Sequence, residues 1–182
     1  GDRKDIAQII DWQFERPPYY LESEYTQAGD LAQWSREHGG IDAIPMSQRL
    51  AIVAQVARAV AAAHSVGILH KDIKPSNVLI ASNDSDLPQA VLTDFGIGYL
   101  TDRHLLAEKG ITATGLTEVI DGAANSSSGA GTRMYMAPEL VEGKGATMQS
   151  DVYALGVLLY QTAAGDFSRS LAPGWERDID DP

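Results

Sequence analysis

Apolar residues recur at three- and four-residue steps through residues 47–66. Val53, Val56, Ala57, Val60 and His64 fall on one face, the period of an amphipathic helix. Ser47 is placed to cap its start and Gly67 to stop it. The stretch "SDVYALGVLLYQTAAG" at 150–165 is apolar on nearly every face, so this helix is expected to be buried on nearly every side. "AGDLAQWSREHGG" predicts a shorter helix, with Asp30 near its start and Gly39-Gly40 as its stop. "IAQII" (6–10) and "YYLESEY" (19–25) predict strands either side of the turn-like "FERPP". "NVLI" and "AVLTDFG", separated by "ASNDSDLPQ", predict a hairpin with a polar loop. Residues 101–133 are rich in Gly, Ala, Ser and Thr and predict a long mobile loop that returns to core-like sequence. There are no internal repeats.

Composition narrows the function classes. The chain has 182 residues, 44% hydrophobic and 21% charged, values of one globular domain or one lobe of a larger one. A net charge of −11 argues against a nucleic-acid backbone or an anionic membrane surface as partner, since both need clustered Lys and Arg. Zero cysteines exclude disulfides, thiolate metal sites and a thiol nucleophile. They fit a reducing compartment, and a cytoplasmic location is expected. The longest apolar run, "LAIVAQVARAVAAAH", is broken by Gln55 and Arg58, too polar to span a bilayer, and no secretory signal is present. The chain opens on "GDRKDI" and closes on "RDIDDP"; both ends read as cuts, so a fragment is expected.

Candidate chemistry concentrates in "ILHKDIKPSNVLI", residues 68–80, where a polar cluster interrupts two apolar runs. Such a cluster makes sense as a loop between the 47–66 helix and the hairpin. Folding the hairpin back brings Asp94 of "TDFG" close to Asn77. A carboxylate and an amide oxygen are hard ligands suited to Mg²⁺, which keeps several waters and binds substrate phosphates as well. Asp72 would then face an incoming nucleophile, and Lys74 is a point charge able to neutralise a phosphoryl group in transfer.

The motifs "HKDIKPSN", "DFG" and "APE", in this order, resemble those of the eukaryotic-type Ser/Thr protein kinases, with a bacterial flavour in "SNVLI" and the Ala-rich helix. The resemblance runs over essentially the whole chain. It implies an α+β, protein-kinase-like fold: mainly the helical C-terminal lobe plus the last strands of the N-terminal lobe. Residues 1–25 would end the small lobe and form the hinge, 26–182 would be an incomplete large lobe, and 94–139 the activation segment. It implies ATP and Mg²⁺ as cofactors and Ser/Thr hydroxyls of proteins as acceptors. Asp72 would be the catalytic base and Lys74 would contact the γ-phosphate. Asn77 and Asp94 would hold the metal. Ser23 would be a small gatekeeper that leaves a back pocket open. The Glu24 carbonyl and Thr26 amide would pair with adenine, Asp30 would bind the ribose, and Leu79 would lie under the ring. His70 and Phe95 would belong to a stacked apolar spine, and Thr132 would bridge Asp72 and Lys74. Glu139 would anchor the end of the activation segment, its usual Arg partner lying beyond Pro182. Asp151 would hold the catalytic loop by its backbone amides. Lys74-Pro75 resembles the Ser/Thr class.

Two departures bear on function. Lys71 stands where regulated kinases carry Arg, which grips a loop phosphate bidentately; this puts control through Thr112, Thr114, Thr117 or Ser126–Ser128 in doubt. The Gly-rich loop, the strand lysine and its helical Glu partner are absent from the chain, so the fragment alone is expected to be inactive, to expose apolar helix faces and to aggregate. A pseudokinase or scaffold with the same fold is the alternative, with a small-molecule phosphotransferase behind it. His38, His64 and His104 read as a surface, a helix and a loop residue without a role. The end "WERDIDDP" reads as surface, with Trp175 packing on structure outside the chain.

Overall fold

The computed structural model describes residues 3–13, 16–18, 20–81, 87–95 and 133–179. The strands are β1 (Ile9–Gln13), β2 (Tyr20–Ser23), β3 (Val78–Ala81) and β4 (Gln89–Leu92), and the helices α1 (Leu31–Glu37), α2 (Met46–Ser65), α3 (Pro138–Val141) and α4 (Met148–Ala164). Short 3₁₀ turns occupy Ile41–Ala43, Pro75–Asn77 and Trp175–Asp178. The strands form two antiparallel pairs, β1–β2 and β3–β4.

The hairpin forms as expected, with Val78 opposite Leu92 and Ala81 opposite Gln89. The first strand pair is shifted. β1 starts at Ile9 rather than at Ile6, because residues 5–7 are used elsewhere. The Leu92 amide donates to Asp5 O and the Ala7 amide to Leu92 O, both at 2.9 Å, so this stretch joins the end of β4. β2 is correspondingly shorter than the 19–25 run.

Each helix has a local cause. Asp30 caps α1 by accepting from the Gln33 amide at 2.8 Å. α2 begins earlier than the Ser47 cap predicts. Pro45 stands at the N-cap, and its carbonyl accepts from the Gln48 and Arg49 amides, so Ser47 lies inside the first turn. Gly67 follows the helix with φ +77°, a left-handed position that glycine takes without a Cβ penalty. α4 opens on a capping box between Thr147 and Ser150 and closes on left-handed Gly165.

α2 packs along α4, and β3–β4 closes the same core. Leu31, Ile52, Ile73, Val78, Leu92 and Leu158 sit in it fully buried. Truncating one of them, Leu158→Ala for instance, costs about 2–5 kcal/mol. α4 is not buried on every side: Val152 is 57% and Leu159 43% exposed, because α2 covers only one flank. Trp175 packs edge-on against Tyr160, ring centroids 6.1 Å apart, so its neighbour lies within the chain. The acidic end is also tied down: Asp178 accepts from the Tyr160 hydroxyl at 2.5 Å and pairs with Arg169 at 3.0 Å. Among the described residues no helix is long and apolar enough to cross a membrane.

Candidate active site

The loop after α2 carries the first cluster. The Lys74 ammonium lies 2.7 Å from Asp72 Oδ2. Asn77 Nδ2 donates to the Asp72 carbonyl at 2.7 Å and to Asp72 Oδ2 at 3.0 Å. The Pro75–Asn77 turn makes this possible, since its curvature returns Asn77 to face Asp72. Asn77 is buried, whereas the Asp72 side chain keeps 33% of its exposure.

The hairpin delivers Asp94. The Thr93 amide donates to Asn77 O at 3.0 Å, so the residue after it emerges beside the cluster. Asp94 has φ +63° and Lys71 φ +71°. Neither is glycine, and left-handed backbone at such residues costs about 1–3 kcal/mol each, a strain found at sites the surroundings over-determine. At Lys71 the cause is visible. Asp151 Oδ1 accepts the Lys71 amide at 2.7 Å and Oδ2 the His70 amide at 2.8 Å. Two consecutive amides pinned on one carboxylate force the turn that points Asp72 outward.

His70 joins the two halves. Its Nδ1 accepts the Asp72 amide at 3.2 Å and its Nε2 donates to the Thr93 carbonyl at 2.8 Å, which specifies the neutral Nε2–H tautomer. Burial pushes this imidazole below its ordinary value. Phe95 packs edge-on against the ring, centroids 4.7 Å apart.

The nucleotide-site candidates lie along the adjoining strand and turn. Glu24 N bonds Gln8 O at 2.9 Å, extending β2. Thr26 O accepts the Gly29 amide at 3.1 Å, and Gly29 O accepts the Ile80 amide at 2.9 Å. An antiparallel bridge joins Asp30 to Leu79. Thr26, Asp30 and Leu79 are thus drawn together, with Gly29 at φ +69° making the turn. Asp30 uses one carboxylate oxygen for the α1 cap. Ser23 lines a largely apolar cavity of about 530 Å³ that also touches Asp94 and Phe95.

Asn77 and Asp94 fit a Mg²⁺ ion by donor chemistry. With Nδ2 turned to Asp72, Asn77 has its carbonyl oxygen left to offer, and Asp94 adds a carboxylate. Among the described residues no group of three or more His, Cys, Asp or Glu could hold a metal ion.

Sequence reasoning missed several supporting residues. His64 lies with Nε2 2.8 Å from Asp151 Oδ2, so it is a partner of Asp151 rather than a plain helix residue. Its place on the apolar face of α2 was the available signal. Glu139 accepts from the Ser150 hydroxyl at 2.9 Å. The Tyr135 hydroxyl donates to Gln161 Oε1, and Gln161 Nε2 to Arg169 O at 2.8 Å. Gly96, His104, Thr112, Thr114, Thr117, Ser126–Ser128 and Thr132 lie outside the described residues.

A hairpin and two packed helices holding this loop define a kinase-type fold, and comparison with known proteins agrees. The protein kinase domain family matches residues 2–172, and the chain belongs to that family. Serine/threonine-protein kinase Pkn1 of Myxococcus xanthus is 32% identical over 162 residues, 89% of this chain and 20% of Pkn1. PkaA of Streptomyces coelicolor is 34% identical over 161 residues, 88% of this chain and 26% of PkaA. The crystal structure of the Mycobacterium tuberculosis PknI kinase domain superposes with a TM-score of 0.59 at 25% identity, covering 91% of this chain and 53% of that one. The chain thus spans about a fifth to a quarter of the length of these curated relatives.

Proposed function

We propose that the protein containing this chain transfers the γ-phosphoryl group of ATP to Ser/Thr hydroxyls of proteins. The carrying observation is the Asp72–Lys74–Asn77 cluster, set beside Asp94 and pinned from beneath by Asp151. Asp72 orients the acceptor hydroxyl and takes its proton, a contribution of about 10²–10⁴-fold. Lys74, now paired with Asp72 at 2.7 Å, is within reach of a phosphoryl group arriving at the same carboxylate and would offset its charge. Asn77 and Asp94 would hold Mg²⁺, which supplies charge neutralisation on the phosphates. The Glu24 carbonyl and the Thr26 amide would take the adenine edge, over Leu79 and beside Ser23. Asp30 would reach the ribose with the oxygen not used in the α1 cap. In this reading residues 1–25 end the small lobe, 26–182 belong to the large lobe, and 94–139 form the activation segment. A cytoplasmic location, where ATP is supplied, fits this reading.

The test is transfer of labelled γ-phosphate to a Ser/Thr protein substrate by the full-length protein with Mg²⁺, against Asp72→Asn. Transfer that vanishes in the variant supports the reading and assigns Asp72. A folded, ATP-binding protein that transfers nothing overturns it in favour of a pseudokinase scaffold. Phosphorylation of small alcohols but no protein would redirect it to a small-molecule phosphotransferase.

A further inference from the structure

Adjacent residues at the start of α4 hold two different pieces of the site. Asp151 carries the loop that bears Asp72, through the His70 and Lys71 amides. Ser150, 3% exposed, carries Glu139 at the end of the 133–141 segment through a 2.9 Å hydrogen bond. The same segment is fixed again lower on α4, where Tyr135 meets Gln161. Ser150 and Gln161 lie about 16 Å apart along the helix at 1.5 Å per residue. The segment therefore rests on two mounts, with Ala137 fully buried between them. Loop and segment face each other across a cavity of only about 40 Å³, bordered by Asp72, Tyr135, Met136, Leu140, Ser150 and Asp151. That is room for no more than a few waters, so the two pieces lie close together.

We propose that Ser150 is a positioning residue. By holding Glu139, it sets the register of the 133–141 segment against Asp72, and so shapes the surface on which a protein substrate lies. The inference rests on the Ser/Thr kinase reading above. Charge assists this bond, because a carboxylate accepts from the hydroxyl. The Ser150 oxygen also receives the Thr147 amide at 3.1 Å, which orients the hydroxyl hydrogen toward Glu139. Ser150 touches neither the phosphates nor the acceptor in this arrangement; it acts through Glu139.

The experiment uses Ser150→Ala in the full-length protein. KM for the protein substrate is expected to rise roughly tenfold, while KM for ATP and substrate-free ATP hydrolysis stay within about twofold. Glu139→Ala should reproduce the effect, and the double variant should be no worse than either single one. Thr147→Ala removes the helix cap but leaves the Ser150–Glu139 bond; it should lower the melting temperature without moving that KM. Equal KM effects in Thr147→Ala and Ser150→Ala, or additive effects in the double variant, would overturn the proposal. Amide exchange supplies a readout that does not need activity. Ser150→Ala should speed exchange in 133–142 but not in 68–74. Unchanged exchange in 133–142 would overturn the proposal even where the wild-type protein transfers no phosphate, an outcome that separately rejects the kinase reading.

Discussion

His64 Nε2 lies 2.8 Å from Asp151 Oδ2, an oxygen that also accepts the His70 amide. One carboxylate, its side chain 2% exposed, thus takes three donors: an imidazole from α2 and two consecutive amides of the loop that bears Asp72. Asp151→Ala leaves those donors without an acceptor. It is expected to lower unfolding free energy by about 3–5 kcal/mol, the cost of breaking a buried charged network from one side. His64→Leu removes one donor, and about 1–3 kcal/mol should be lost. Urea unfolding measures both. A loss below about 1 kcal/mol in Asp151→Ala would mean that the amides find other acceptors.

Tyr135 and Gln161 form the second buried connection. Burial pushes the Tyr135 phenol above its ordinary 10.0, so it remains a neutral donor throughout the working pH range. Gln161, fully buried, is satisfied at both ends, by the Tyr135 hydroxyl and by Arg169 O. Tyr135→Phe strands the Gln161 oxygen and should cost about 1–3 kcal/mol. Gln161→Leu strands the tyrosine hydroxyl and the Arg169 carbonyl and should cost at least as much. If the two single changes cost little and the double variant nothing further, the pair is not a mount.

Asn77 is asked to do two things, and they separate experimentally. Its Nδ2 braces Asp72 through the carbonyl and the carboxylate, and its oxygen is a candidate metal ligand. Asn77→Ala should therefore raise the Mg²⁺ concentration for half-maximal transfer by about tenfold or more, and also cost about 1–1.5 kcal/mol of stability for the lost hydrogen bonds. Asn77→Asp keeps a hard oxygen but loses the donor and sets a second carboxylate against Asp72. Its Mg²⁺ dependence should be milder and its activity loss greater. A Mg²⁺ titration unchanged in Asn77→Ala would remove Asn77 from the metal site.

Much of this was legible in the chain. The 3.6-residue period of α2, the hairpin with its polar loop and the motif order each carry a local signal, and the structure brings Asp72, Lys74, Asn77 and Asp94 to one place. What was not legible depends on partners distant in sequence. Ser47 has the chemistry of a cap, yet α2 starts at Met46 because the Pro45 carbonyl already opens the hydrogen-bond ladder. Residues 6–8 have the pattern of β1, yet residues 5–7 pair with the end of β4. His64 looked like one more member of an apolar stripe; its partner lies 87 positions later. Ser150 and Gln161 carry no motif, and only packing shows what they hold.

His70 gives the chain a predictable acid sensitivity. The ring is fully buried, with Nδ1 already accepting from Asp72 N and Nε2 donating to Thr93 O. A second proton would land on Nδ1 and confront an amide N–H, so the folded state resists it. Burial lowers the folded value below 6.5, and the hydrogen bond to Thr93 O and the nearby Asp151, Asp72 and Asp94 charges offset that only in part. The unfolded chain therefore binds the proton first as pH falls, and stability rises with pH wherever it binds more. The contribution is fully present above about pH 6.5 and is lost as pH drops through the folded value. Asp5 and Asp166 are held below 3.8, so their losses come in a more acidic window. Urea midpoints should thus decline as pH falls below about 6.5. His70→Phe keeps an aromatic ring against Phe95 and removes the titration; it should be less stable at pH 7 yet show a flatter decline over that interval. Equal slopes in the two proteins would assign the acid sensitivity to another group.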